Sequence, residues 1–157
     1  GRRVDTLSGG EAQRVALARS LAAAPKGPPP LPQESGALYQ RGVDAYQRGD
    51  LDEAMRAFRA FVRGFPTDPF ADNAQYLLAD CLFLKGKYVD AIAELQKILE
   101  TYGEGEKVDD AYFRIAEALD AMGKCGDAKV FYGEVKKRFP KSKRIDQVRD
   151  KLKAPCK

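Results

Sequence analysis

Ser8, Gly9 and Gly10 stand at the start of a stretch of helical character. A hydroxyl and two residues without side chains at a helix N-terminus let backbone N–H groups approach an anion closely, which makes a natural phosphate site. The rest of the reactive inventory is sparse. Cys81, Cys125 and Cys156 form no CxxC pair and no metal-ligand spacing. One bridge plus one free thiol fits that count, and so do three separate thiols, so the cysteines leave the compartment open. The chain has no histidine, which removes the commonest metal ligand and the usual general acid–base group near neutral pH. Ser-His-Asp and Cys-His nucleophilic systems and His-containing zinc sites go with it. Carboxylates and lysines remain, too thin a set to indicate an enzyme, and no metal or cofactor is expected.

The 157 residues suffice for one domain with a sizeable core. No run of about 18 apolar residues occurs, so no membrane span is expected. The net charge of +4 conceals an asymmetry. Residues 37–135 carry 12 Lys/Arg against 18 Asp/Glu, whereas residues 136–157 carry 10 Lys/Arg against Asp146 and Asp150. A basic end of this kind suits a nucleic acid or an anionic lipid through Lys136 to Lys157, with steep salt dependence as its mark. A solvated terminal helix explains it more simply. Phe139 is the one aromatic among these cations, which leaves little for base stacking, and no nucleic-acid partner is expected. Gly1-Arg2-Arg3 is not followed by the apolar stretch of a secretory signal.

Five of the nine prolines lie between Pro25 and Pro32, and this composition reads as a polyproline II linker over 25–36. Beyond it the chain repeats. A shift of 37 residues superimposes Gly49, Gly86 and Gly123; Ala54, Ala91 and Ala128; and Phe58, Leu95 and Tyr132. It also superimposes Phe61, Ile98 and Val135; Phe65, Tyr102 and Phe139; and Tyr39, Tyr76 and Phe113. Within a unit the apolar period is helical on both sides of the glycine, as in Tyr76, Ala79 and Leu82, then Ala91, Leu95 and Ile98. The glycine supplies a left-handed helix end, and the alanine lets two antiparallel helices approach. Pro66 and Pro140 follow the second helix of their units.

This pattern of glycine, alanine, aromatic and proline resembles the tetratricopeptide repeat, lengthened by three residues. Phe65-Pro66-Thr67-Asp68-Pro69-Phe70-Ala71-Asp72-Asn73-Ala74-Gln75-Tyr76-Leu77-Leu78-Ala79, Gly86-Lys87-Tyr88-Val89-Asp90-Ala91-Ile92 and Phe139-Pro140-Lys141-Ser142 resemble the C-terminal repeat domain of the tol-pal system YbgF (CpoB) family. The fold expected is an all-α solenoid of three helix pairs over about 37–70, 72–107 and 109–141. A capping helix over 142–153 completes a domain at 37–157. The resemblance implies a periplasmic scaffold in envelope and division assembly, with TolA or a cell-wall synthase as partner. That family's N-terminal coiled coil is not expected here, because residues 1–36 lack sustained heptads.

Residues 1–24 form a separate segment. From Leu7 to Pro25 they resemble the signature motif and following helix of ABC-transporter ATPases, in which Ser8, Gly9 and Gly10 would complete a nucleotide site held by a partner subunit. The chain has no G-x-x-x-x-G-K-[ST] phosphate loop, so it is not expected to hydrolyse ATP alone. A fused fragment, or a helix contacting a partner's nucleotide site, is the alternative function. Its stripe of Val15, Leu17, Ala18, Leu21 and Ala22 either docks on a repeat domain, its own or a neighbour's, or leaves the segment a frayed tail in solution.

The repeat resemblance implies that the first helix of each pair lines a concave groove. Three rungs are expected there: Tyr39, Tyr76 and Phe113; Val43, Asp80 and Glu117; and Tyr46, Phe83 and Asp120. Such a groove would be aromatic, turn acidic toward the C-terminus, and suit a peptide with apolar anchors and Lys/Arg. The first rung fits equally well as packing between neighbouring repeats, and the acids as a solvated face.

Overall fold

The computed structural model describes residues 32–157, with side chains from Glu34 onward. Ser8, Gly9 and Gly10, the helix expected through Ala24 and the linker as far as Leu31 lie outside the described residues. Seven helices follow one another: α1 (Pro32–Gln47), α2 (Leu51–Gly64), α3 (Ala71–Leu84), α4 (Tyr88–Thr101), α5 (Val108–Ala121), α6 (Cys125–Arg138) and α7 (Ile145–Lys153). The described residues form no strand. Each helix packs on the next, which gives three antiparallel pairs and a seventh helix closing the stack, an all-α solenoid.

The first helix begins five residues before the boundary drawn at 37. Pro32 opens it, and proline is suited to a first helical position because its missing N–H would be unpaired there anyway. Residues 32–36 are thus helical and continuous with the rest of α1.

Each pair turns at its glycine. Gly49, Gly86 and Gly123 have φ of 80°, 78° and 78°, the left-handed region that favours glycine. Around Gly49, the Gly49 amide donates to Tyr46 O and the Asp50 amide to Ala45 O, closing the last turn of α1. The same two bonds recur at Gly86 and Gly123. Ala54, Ala91 and Ala128 are fully buried where the paired helices cross. Three apolar clusters run along the solenoid, built on Phe58 and Phe61, on Leu95 and Ile98, and on Tyr132 and Val135.

The 37-residue period continues into the cap. Ala74, Ala111 and Val148 occupy equivalent positions in α3, α5 and α7, and all three are buried. Thus α7 is the first helix of a fourth unit. No second helix packs beside it among the described residues. A disulfide between Cys125 at the start of α6 and Cys156 after α7 ties down the tail, with the Cα atoms 5.6 Å apart. Lys129 Nζ also donates to Leu152 O at 3.2 Å and Ala154 O at 2.5 Å, satisfying carbonyls at the end of α7. Cys81 is free and buried, its thiol pushed up to about 12 first by burial and then by the Asp80 carboxylate.

Candidate protein-binding face

The first helices α1, α3, α5 and α7 meet side by side through polar pairs spaced 34 residues apart. Asn73 Nδ2 donates to Tyr39 Oη, and Tyr46 Oη donates to Asp80. Arg114 donates to the other oxygen of Asp80, and Arg144 Nε donates to Asp110 Oδ1 at 2.6 Å. The repeat is 37 residues but the contacts come at 34, because each side chain meets one from the neighbouring helix one turn earlier than its own equivalent.

Both arginines also lie over phenylalanine rings. The Arg114 guanidinium is 4.4 Å from the Phe83 centroid, and that of Arg144 is 4.7 Å from Phe113. Arg114 Nη1 donates to Glu117 Oε1 at 3.0 Å, so one guanidinium spans carboxylates of two neighbouring units. Arg144 Nη2 approaches Tyr76 Oη at 3.4 Å. The Tyr46 phenol is held well above its usual pKa, first by burial and next by its hydrogen bond to Asp80, so it stays a donor across the physiological range.

The expected rungs divide. Tyr76 and Phe113 are 8% and 2% exposed and belong to the inter-repeat cores, Phe113 set edge-on to Tyr132. Tyr39 is half-buried, stacked on Phe70 and edge-on to Phe58 and Phe61. Val43 packs against the first cluster. Asp80 is 3% exposed and enclosed by Tyr46 and Arg114. Tyr46, Phe83, Glu117 and Asp120 keep part of their surface open. Asp120 accepts from Tyr132 Oη at 3.2 Å and lies 3.8 Å from Lys151. The acids on this face are therefore paired within the chain and do not form a free anionic strip.

Asn73, Asp110, Arg114 and Arg144 were not singled out in the sequence, although they hold the face together. Their signal was present as polar partners at i and i+34. A comparison restricted to equivalent residues at the 37-residue period passes over it.

Models described as tetratricopeptide repeat match residues 39–106 and 110–142. The cell division coordinator CpoB of Pseudomonas putida is 36% identical over 55 residues, which is 35% of this chain and 20% of that protein. The match thus spans a fifth of the curated relative's length. Among solved structures, the N-terminal domain of stress-induced protein-1 from C. elegans superimposes with a TM-score of 0.65 at 15% identity, over 77% of this chain and 96% of that one. The first such domain of Spaghetti (RPAP3), bound to an HSP90 peptide, gives 0.63 at 21% identity, over 80% and 95%. The TPR2B domain of yeast Sti1, in a complex with pHsp70, gives 0.65 at 16% identity, over 76% and 94%. With three glycine-turned helix pairs in register and both repeat models falling on them, the chain belongs to the tetratricopeptide-repeat proteins.

Proposed function

We propose that the chain is a protein-binding module, not an enzyme, that receives an extended peptide segment across the face of α1, α3, α5 and α7. The observation that carries this reading is the fixing of that face. Partly open Tyr46, Phe83 and Glu117 are each held by Asp80 or Arg114, so little side-chain freedom is lost on binding. Aromatic and arginine side chains in such settings carry much of the energy of protein interfaces. The structural neighbours named above as peptide or chaperone complexes support a peptide as the ligand class. Because Asp80 is already neutralised by Arg114, we read the partner as anchored by apolar side chains over Phe83, with polar contacts from Glu117 and Asp120.

The partner we infer is an envelope protein of the division machinery, TolA or a cell-wall synthase, in the periplasm. The likeness to CpoB supports that address, and so does the Cys125–Cys156 bridge, since disulfides persist in oxidising compartments. Calorimetric titration of the purified chain with TolA and with the periplasmic domain of a cell-wall synthase tests the proposal. Phe83→Ala and Glu117→Lys are each expected to weaken binding about tenfold or more. Unchanged affinity in both variants would remove this face from recognition, and no binding of either protein would remove the assigned partners.

A further inference from the structure

The outer side of α6 is apolar at its middle and lacks a neighbour among the described residues. Val130 is 63% exposed there. It stands on the rim of a 270 Å³ cavity lined by Ile92, Ile115, Leu119 and Phe131, with Asp127 alongside. Gly126 and Gly133 lie about one turn to either side of Val130, and a Cβ at either would meet nothing within 4 Å. Gly133 is interior to its helix, where glycine is less stable than alanine, and no packing among the described residues requires it. Gly126, Val130, Gly133 and Lys137 fall within about a 60° sector of the helix surface. That sector presents one apolar knob with a gap beside it.

Charge gives the stripe a direction. Asp127 lies near the start of α6 and Lys137 near its end; both are exposed, and neither has an ion-pair partner among the described residues. We propose that two copies of this chain pair through α6, antiparallel about a two-fold axis lying between Val130 and Gly133. Val130 of each copy then enters the gap at Gly133 of the other. The same axis carries Asp127 to within one residue of the level of Lys137 of the second copy, and does so twice. A parallel pair would set Asp127 against Asp127 and Lys137 against Lys137, so the charges select the antiparallel arrangement. Two helices of 14 residues make a small interface, so a weak and reversible dimer is expected. The surface lies on a second helix and shares no residue with the proposed peptide-binding face.

Sedimentation velocity of the intact chain from about 5 to 500 µM tests this. A monomer–dimer equilibrium is expected, with Val130→Glu weakening it about tenfold or more and leaving helix content unchanged. Should that variant lose helix, Val130→Thr, which keeps the side-chain shape, is expected to weaken the dimer several-fold. Asp127→Lys and Lys137→Asp are each expected to weaken association about five-fold, and their combination to restore it to within about two-fold. A chain that stays monomeric throughout, a dimer indifferent to Val130→Glu, or a double variant no better than the singles would each overturn the proposal.

Discussion

Arg114 holds the Asp80 carboxylate, which is nearly excluded from water, so Arg114→Ala leaves a buried charge with Tyr46 as its remaining partner. A loss of about 2–3 kcal/mol in urea unfolding is expected, less than for a fully enclosed pair because Arg114 keeps some solvent access. Two glycines make an opposed pair of predictions. A Cβ at Gly42 would stand 2.6 Å from the Phe58 ring, which is fully buried, so Gly42→Ala is expected to cost about 1–3 kcal/mol. A Cβ at Gly133 meets nothing, so Gly133→Ala is expected to stabilise the monomer by about 0.5–1 kcal/mol when melted at low concentration. Glu53, between Arg41 at 2.5 Å and Arg56 at 3.0 Å, titrates below its ordinary 4.5, chiefly through the hydrogen bond from Arg41. A lowered folded pKa means that this stabilisation is present above about pH 4.5 and is lost as pH falls through the folded value. The melting temperature of the wild type is expected to fall more steeply below that pH than that of Glu53→Gln.

At the scale of elements, α7 is nine residues long and has one fully buried side chain, Val148, so its own packing is slight. The Cys125–Cys156 bridge closes a loop with a sequence separation of 31 and is expected to supply much of what holds the helix. The chain-entropy relation puts that contribution at about 3–4 kcal/mol. Cys156→Ser, or reduction of the wild type, is expected to lower the melting temperature and to speed amide exchange in α7 ahead of α1–α5. Equal exchange in bridged and unbridged protein would assign the hold to Val148 and Lys129 instead. The cysteine count left the pairing open in the sequence, because Cys125 and Cys156 meet only once α7 has folded back along α6.

At the scale of the whole described domain, each helix packs mainly on the next, with Arg144 reaching back to Tyr76 two units away, so the last unit must bring its own cover. The outer side of α7 is Asp146, Gln147, Arg149, Asp150 and Lys153, all exposed, which presents a polar end. Removing residues 142–157 uncovers Tyr132, Val135 and Phe113 of the third cluster. The truncated chain is expected to aggregate at micromolar concentration, read by light scattering, while the intact chain stays dispersed. Among the described residues no helix is long and apolar enough to cross a membrane.

The amino-acid sequence alone determined the repeat, its length, the helix pairs and their turns. Those features depend on residues near one another in the chain: Gly49, Gly86 and Gly123 at left-handed turns, the alanines at the crossings, and aromatics at helical spacing. Only the tertiary structure decided what the acids of the first helices do, which of the aromatic rungs are core, and how the tail is fastened. The reason lies in the offset between neighbouring helices. Stacking shifts facing side chains by one turn, so Asp80 meets Arg114 and Tyr46, not its equivalents Glu117 and Val43. A 37-residue alignment shows which positions are alike, whereas the packing of adjacent helices sets which positions touch.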